Sequence, residues 1–344
     1  MKSIRGLNLG GWLVLEKWMT PELYEQYDAE DEYNLLKQMG DNKHKIIKKH
    51  RDSFISKHDF KWIKDYGIDT VRIPIGYWLI EANEPYIEAK SYLDNAFEWA
   101  AEYGLNILLD IHAAPGCQNG FDNGGLSGVC EWHLKQENID KTIRFIEQIS
   151  IVYKDEVALS GIQVLNEPRW DIPSTLLIKF YKKSYNVIRE HLGTDKYIVF
   201  HDAFRLGIWK TFFTDNHFEN VILDTHMYQV FSHNDSKRTM TEVIEKVSTQ
   251  RLKELNEVME YVDVVVGEWS LGIHPNTLKH VKDAFLKDAL YRAVGNSLLV
   301  TFEQTRGWFF WNYKLSEKAT KNNIGWSFVD VVNKGYLPRN AKGD

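Results

Sequence analysis

The chain has 344 residues and a net charge of −6, with 44% hydrophobic and 26% charged residues, a globular composition that argues against nucleic acid or an anionic membrane as its main partner. Only two cysteines are present, Cys117 and Cys130, which excludes a disulfide framework and a Cys-rich zinc site, and no apolar stretch approaches the roughly 18 residues of a membrane span. The aromatic surplus (12 Trp, 17 Tyr, 17 Phe) suits platforms for the apolar faces of sugar rings as well as a core.

At the N-terminus, Met1-Lys2-Ser3 leads at once into an apolar run without a signal's hydrophobic region. The expected location is therefore cytoplasmic, or secreted if a leader has been removed. That first run, "IRGLNLGG" from Ile4, reads as a strand. Residues 16–54 are too long for a short connection and predict added helices or a lid at one end. Next come "TVRIPIG" from Thr70 and a helical stripe of Leu93, Ala96, Phe97, Ala100 and Ala101. "LNILLDIH" from Leu105 follows, then a second stripe of Ile139, Ile143, Ile146 and Ile149, and "GIQVLNEP" from Gly161. The remaining runs are "YIVFHD" from Tyr197, "VILDTHMY" from Val221, "VDVVVGEWS" from Val262 and "GWFFWNY" from Gly307. Continuous apolar runs mark strands covered on both faces, as in a parallel sheet. Gly67, Gly104 and Gly193 precede strands where helices should stop. Eight such units predict an α/β fold, a (β/α)8 barrel with an extra N-terminal helical or loop insertion, as a single domain over 1–344.

Active sites in such barrels lie at the carboxyl ends of the strands. The residues that close the runs are Arg72, His112, Asn166 with Glu167, Asp202, His226 with Tyr228, Glu268 with Trp269, and Trp311 with Asn312. A lone Asn-Glu-Pro is compatible with a strand leaving the sheet with its tip in water. The collection of Arg, His, Tyr, Glu and Trp on one rim is not what packing alone produces. Glu167 ends the fourth run and Glu268 the seventh, so they face each other across the barrel. Paired carboxylates serve glycosidic cleavage, one as proton donor and one as nucleophile or stabiliser. The other use of such a pair, hard-metal binding, needs a third carboxylate, for which Asp202 and Asp224 are the candidates. No phosphate loop, His-Glu-x-x-His motif or Gly-x-Ser-x-Gly elbow occurs, and Ser270 reads as a hydrogen-bonded loop hydroxyl.

"LNLGGWLVLEKWMTPELYE", "VRIPIGYW", "DIHAAPGCQNGFDNGG", "QVLNEP", "THMYQVF", "GEWS" and "GWFFWNYK" resemble, in order, the motifs of glycoside hydrolase family 5, above all its exo-β-1,3-glucanase branch. The similarity runs from about residue 5 to "GYLP" near the C-terminus. The resemblance implies Glu167 as acid/base with a raised pKa and Glu268 as an ionised nucleophile, in a retaining double displacement. It implies Asn166 as the ligand of the sugar 2-OH, and Arg72 and Tyr228 as the groups that hold the nucleophile. His112 and His226 would line the first sugar subsite, with Trp311 as the platform under that sugar. Glu16, with Asp122 beside it, would bind distal hydroxyls, and Phe121 and Phe231 would clamp the second sugar. Cys117 departs from the family, which carries a small hydroxyl residue there. The function implied is release of glucose from β-1,3-glucan oligosaccharides or small β-glucosides, with no cofactor and no metal. The alternatives are an endo-acting β-1,4-glucanase on the same scaffold and a non-catalytic carbohydrate-binding protein.

Overall fold

The computed structural model describes residues 3–279 and 281–341. Eight parallel strands, β1 (Ile4–Asn8), β2 (Thr70–Gly76), β3 (Asn106–Ala113), β4 (Leu159–Gln163), β5 (Tyr197–His201), β6 (Val221–His226), β7 (Asp263–Trp269) and β8 (Gly307–Phe310), close into a barrel in chain order. β8 pairs back onto β1, with Ile4 opposite Gly307. The fold is the expected (β/α)8 barrel. Its strands start at or beside the apolar runs, with β4 beginning at Leu159 instead of Gly161.

Alternation along each strand explains why the runs look uniformly apolar. Outward residues such as Ile73, Leu109, Ile162 and Val266 share one core with the surrounding helices. Inward residues split by height. Leu108, Val199, Ile222, Val265 and Phe309 form a separate apolar cluster inside the barrel. Two residues further along each strand come Asp110, His201, Asp224, Gly267 and Trp311. The barrel interior is therefore apolar at its amino end and polar towards its carboxyl end.

Segment 16–54 contains α1 (Glu32–Met39) and α2 (Lys43–Phe54). Leu35, Leu36, Met39 and Ile47 pack with Val14, Leu15, Trp78 and Ala113 in a second core, beside the carboxyl ends of β2 and β3. Asp31 caps α1 by accepting from Asn34 N–H, and also accepts from Ser127 N–H, which ties the insertion to the β3 loop. Helix α3 (Lys57–Tyr66) opens with a Ser56/Asp59 capping box. α3, α4 (Lys90–Tyr103) and, after α5 (Gln136–Val152), α6 (Ser174–Leu192) stop at Gly67, Gly104 and Gly193, all at positive φ as the sequence predicts. Among the described residues no helix is long and apolar enough to cross a membrane.

Candidate active site

A buried polar network lies below the carboxyl ends of the strands, with Arg72 at its centre. Its Nε donates to Gln163 Oε1 at 2.9 Å and its Nη1 to Asn8 Oδ1 at 2.8 Å and Glu268 Oε1 at 3.0 Å. Nη2 donates to Asn166 Oδ1 at 2.8 Å and lies 3.1 Å from Asp110 Oδ2. A guanidinium this buried is tolerable only because carboxylates and amides satisfy it on every side. Asp224 Oδ1 accepts from Gly267 N–H at 2.7 Å and its Oδ2 from Gln163 Nε2 at 2.7 Å. A Cβ on Gly267 would stand 2.2 Å from that carboxylate, so only glycine lets β7 pass so close.

Glu268 is brought inward by a register shift in β7 between Val266 and Trp269. Tyr228 O–H donates to its Oε2 at 2.7 Å, so with Arg72 both of its oxygens are fixed. Glu167 lies beyond β4, where Asn166 N–H still bonds Ile111 O at 2.8 Å. The backbone then turns through φ 42° at Glu167 itself, a left-handed conformation that a glutamate adopts only under constraint. Its Oε1 is 2.7 Å from His226 Nδ1, and its Oε2 accepts from Asn123 Nδ2 at 2.9 Å. His226 Nε2 faces Asp224 Oδ2 at 3.1 Å, and Nδ1 also lies 3.4 Å from Glu268 Oε2.

This arrangement sets the protonation of the site. Burial disfavours the charged form of His226, but Glu268, Asp224 and the bond to Glu167 outweigh it and raise its pKa well above the ordinary value. Burial also pushes Glu167 upward, yet the hydrogen bond and charge of His226, aided by His201 and Asn123, bring it down to about 2. The raised pKa expected of Glu167 is thus not found, because an imidazolium donates directly to it. Burial is the largest influence on Glu268 and raises its carboxyl above the ordinary range, with His226 and Arg72 opposing and Glu167 adding to the rise.

The other residues picked from the sequence fall into three groups. His112 Nδ1 lies 2.6 Å from Asp110 Oδ2, its ring stacks parallel to Trp311 at 5.4 Å, and its Nε2 has no protein partner. Asn166 Nδ2 is likewise buried without a partner, and such orphaned polar atoms in a polar mouth are what a ligand's hydroxyls would occupy. Trp311 is buried against Met19 and Leu315, and a Cβ on Gly10 would strike its ring at 2.6 Å. Glu16 accepts from Trp18 Nε1 at 2.8 Å and is pushed well up, first by burial and then by Asp122, so these two carboxyls converge. Phe121 and Phe231 are both exposed but belong to different aromatic groups. Phe231 sits on Tyr228 and Trp326, and Phe121 pairs with Trp170.

Two strand-end residues do not line the mouth as expected. His226 is wedged among three carboxylates with its side chain fully buried. Asp202 turns into the β5 loop, accepting from Phe204 N–H at 2.7 Å and Thr225 O–H at 2.8 Å, and burial raises it to about 6. Ser270 accepts from Gly272 N–H, as a loop hydroxyl should. Cys117 is buried beneath the β3 loop, where Gly120 N–H points at its sulfur at 3.2 Å. Sequence reasoning missed Asn8, Asp110, Asn123, Gln163, Trp170 and His201. For Asp110 the signal was present, two residues before His112 on the inward face of the same strand.

Among the described residues one group has metal-ligand chemistry, Glu167 with His201 and His226. Its donor set does not fit a cation. His201 Nδ1 accepts from Ala203 N–H, which places the ring proton on Nε2, and both nitrogens of His226 carry protons towards carboxylates.

A closed (β/α)8 barrel with two buried carboxylates converging at the carboxyl ends of its strands is the arrangement of a glycoside hydrolase. The family model described as Cellulase (glycosyl hydrolase family 5) matches residues 29–317. The chain belongs to glycosyl hydrolase family 5. It is 32% identical to a glucan 1,3-beta-glucosidase of Blumeria graminis, covering 98% of this chain and 87% of that protein. It is 31% identical to the sporulation-specific glucan 1,3-beta-glucosidase of Saccharomyces cerevisiae, over 98% and 86%. Among solved structures, the rutinosidase from Aspergillus niger superposes with a TM-score of 0.81 at 20% identity, over 98% of each chain. Thermotoga maritima Cel5A with cellobiose gives 0.60 at 16%, over 97% of each. These two likenesses speak for the fold.

Proposed function

We propose that the protein is a retaining β-glucosidase that releases glucose from the non-reducing end of β-1,3-gluco-oligosaccharides or small β-glucosides. The observation that carries the reading is the convergence of both carboxylates on His226 Nδ1, at 2.7 Å for Glu167 and 3.4 Å for Glu268. These oxygens are therefore no more than roughly 6 Å apart, a bound that admits the ~5–5.5 Å of retaining pairs and lies below the roughly 6.5–9.5 Å that inverting enzymes need for an intervening water. The curated relatives' name supplies the β-1,3 linkage.

In this reading Glu268, fixed by Arg72 and Tyr228, attacks the anomeric carbon while Glu167 protonates the leaving oxygen. The proton Glu167 needs is at hand in its bond to His226. Once Glu268 is esterified its charge is gone, which favours the ionised form of Glu167 and turns it into the base that activates water. Asn166 and His112 would take sugar hydroxyls, Trp311 the sugar face, Glu16 and Asp122 the distal hydroxyls. Phe121 and Phe231 would flank the second sugar. The reading treats residues 1–344 as one catalytic unit, supported by a core continuous from Leu7 to Leu337.

The test is incubation with laminaritriose and, in parallel, cellotriose, following early products and their anomeric form. Release of β-glucose from laminaritriose is expected. An oligosaccharide ladder from cellotriose homologues would replace the reading with an endo-β-1,4-glucanase, and α-glucose would replace retention with inversion.

A further inference from the structure

Three residues after Glu167, Trp170 stands 54% exposed in a loop whose other members are tied down. Ile172 is fully buried and donates to Arg169 O at 3.0 Å, while its own carbonyl accepts from Arg205 Nη2 at 2.9 Å. The Arg169 guanidinium forks onto Asp171 at 2.6 and 2.9 Å. Flanked by such anchors, the indole is not a loose side chain of a slack loop.

Its neighbour is Phe121, 41% exposed, with ring centroids 6.5 Å apart and planes tilted by 35°. Together they make an apolar shelf carried by two loops that are joined to the proton donor. Arg169 N–H bonds Gln118 O at 3.1 Å, and Gln118 Nε2 bonds Asn166 O at 2.9 Å. Asn123, two residues from Phe121, holds Glu167 Oε2. The nucleophile's aromatic neighbours, Tyr228, Phe231 and Trp326, form a group of their own.

We propose that Trp170, beyond Phe121, forms a further subsite on the leaving-group side, occupied by the second sugar ring of the departing oligosaccharide. This rests on the functional reading above, in which Glu167 protonates the leaving oxygen, and it places the leaving group on Glu167's own loops. Pyranose rings stack their C–H faces on indoles, and with its ring centroid 6.5 Å from that of Phe121 the Trp170 indole is within reach of the ring after the one Phe121 flanks. The enzyme then prefers chains with two or more leaving rings over a disaccharide.

The experiment compares kcat/KM for laminaritriose and laminaribiose in the wild type, Trp170→Ala and Trp170→Phe, each variant's laminaribiose value serving as its own reference. The wild-type ratio is expected near tenfold, about the worth of one aromatic stacking contact. In W170A it should fall to about one to two, and W170F should restore most of it. A wild-type ratio near one, or the same ratio in W170A as in the wild type, overturns the subsite while leaving the glucosidase reading intact. If the wild type releases glucose from neither sugar, the β-1,3-oligosaccharide reading falls, and the subsite with it.

Discussion

The two carboxylates occupy one barrel mouth but are held by opposite means. Glu268 is on a strand, and its partners Arg72 and Tyr228 are fixed by packing and by a buried network. Glu167 is past the end of its strand, on a left-handed turn, held by an imidazole and by Asn123 from a neighbouring loop. A guanidinium cannot give up a proton near neutrality, whereas an imidazolium can. The side that must stay ionised is thus bonded to a permanent charge, and the side that must exchange a proton is bonded to a group that titrates.

The largest effects should separate the halves by leaving group. Glu268→Ala is expected to lower kcat at least ~10⁴-fold whatever the leaving group, because no covalent intermediate can form. Glu167→Ala should cost about 10²–10⁴-fold on laminaribiose but far less in the first step with 2,4-dinitrophenyl β-glucoside, whose phenolate needs no proton. Burst kinetics on both substrates measure this, and equal leaving-group dependence in the two variants would break the assignment of roles. Next in size, Arg72→Met strands Asp110 and Glu268 without their cation and should lower stability by about 3–5 kcal/mol in urea unfolding. Arg72→Lys should recover little of it, since one ammonium cannot reach Gln163, Asn8, Asn166 and Glu268 together.

The same division governs how much the sequence could reveal. The barrel was legible because covered strands and glycine-stopped helices leave a local signature, as at "TVRIPIG" and Gly67. The rim residues were legible because polar side chains closing apolar runs have few structural excuses. Hidden were relations between strands. That His226 bonds Glu167 follows from the closure of the barrel, which brings the end of β6 within reach of the segment after β4, and from the turn at Glu167, neither of which is written locally. Its position inverted the expected pKa of Glu167. Asp202 misled because a strand-end carboxylate can equally well cap its own loop, as it does at Phe204 N–H. Trp170 escaped notice because exposure in a loop is decided by its anchors, Ile172 and Arg169, and not by its own type.

His226→Gln tests the titrating side and should have an intermediate effect. In the wild type the shared proton is lost only above the ordinary histidine range, because His226 is raised. Without the imidazolium the proton resides on Glu167 alone, so the basic limb of the kcat/KM profile should move to lower pH by on the order of one unit. Stability gives an independent check. A raised histidine stabilises the fold fully below about 6.5 and loses that contribution as pH rises through its folded value. The depressed Glu167 contributes above about 4.3 and loses its share as pH falls through about 2. The stability gap between wild type and H226Q should therefore be widest between about pH 4.5 and 6.5. A gap that grows on the alkaline side would mean that His226 is neutral in the fold.

The smallest effect is expected at Phe231, which is 74% exposed but lies edge-on to Tyr228 at 5.3 Å. If it only flanks the second sugar, Phe231→Ala should raise KM for laminaribiose by a few-fold, leave kcat alone, and change stability by no more than ~0.5 kcal/mol. Tyr228 O–H, however, is one of the two bonds that fix Glu268. A fall in kcat at constant KM would show that Phe231 acts through Tyr228, so that the rigid half of the site extends to an exposed ring. Tyr228→Phe decides between these, because it removes the bond to Glu268 and keeps the ring on which Phe231 rests. Should the two variants share one kcat defect that does not add in the double mutant, Phe231 belongs to the nucleophile's support. Additive losses would leave it a sugar contact alone.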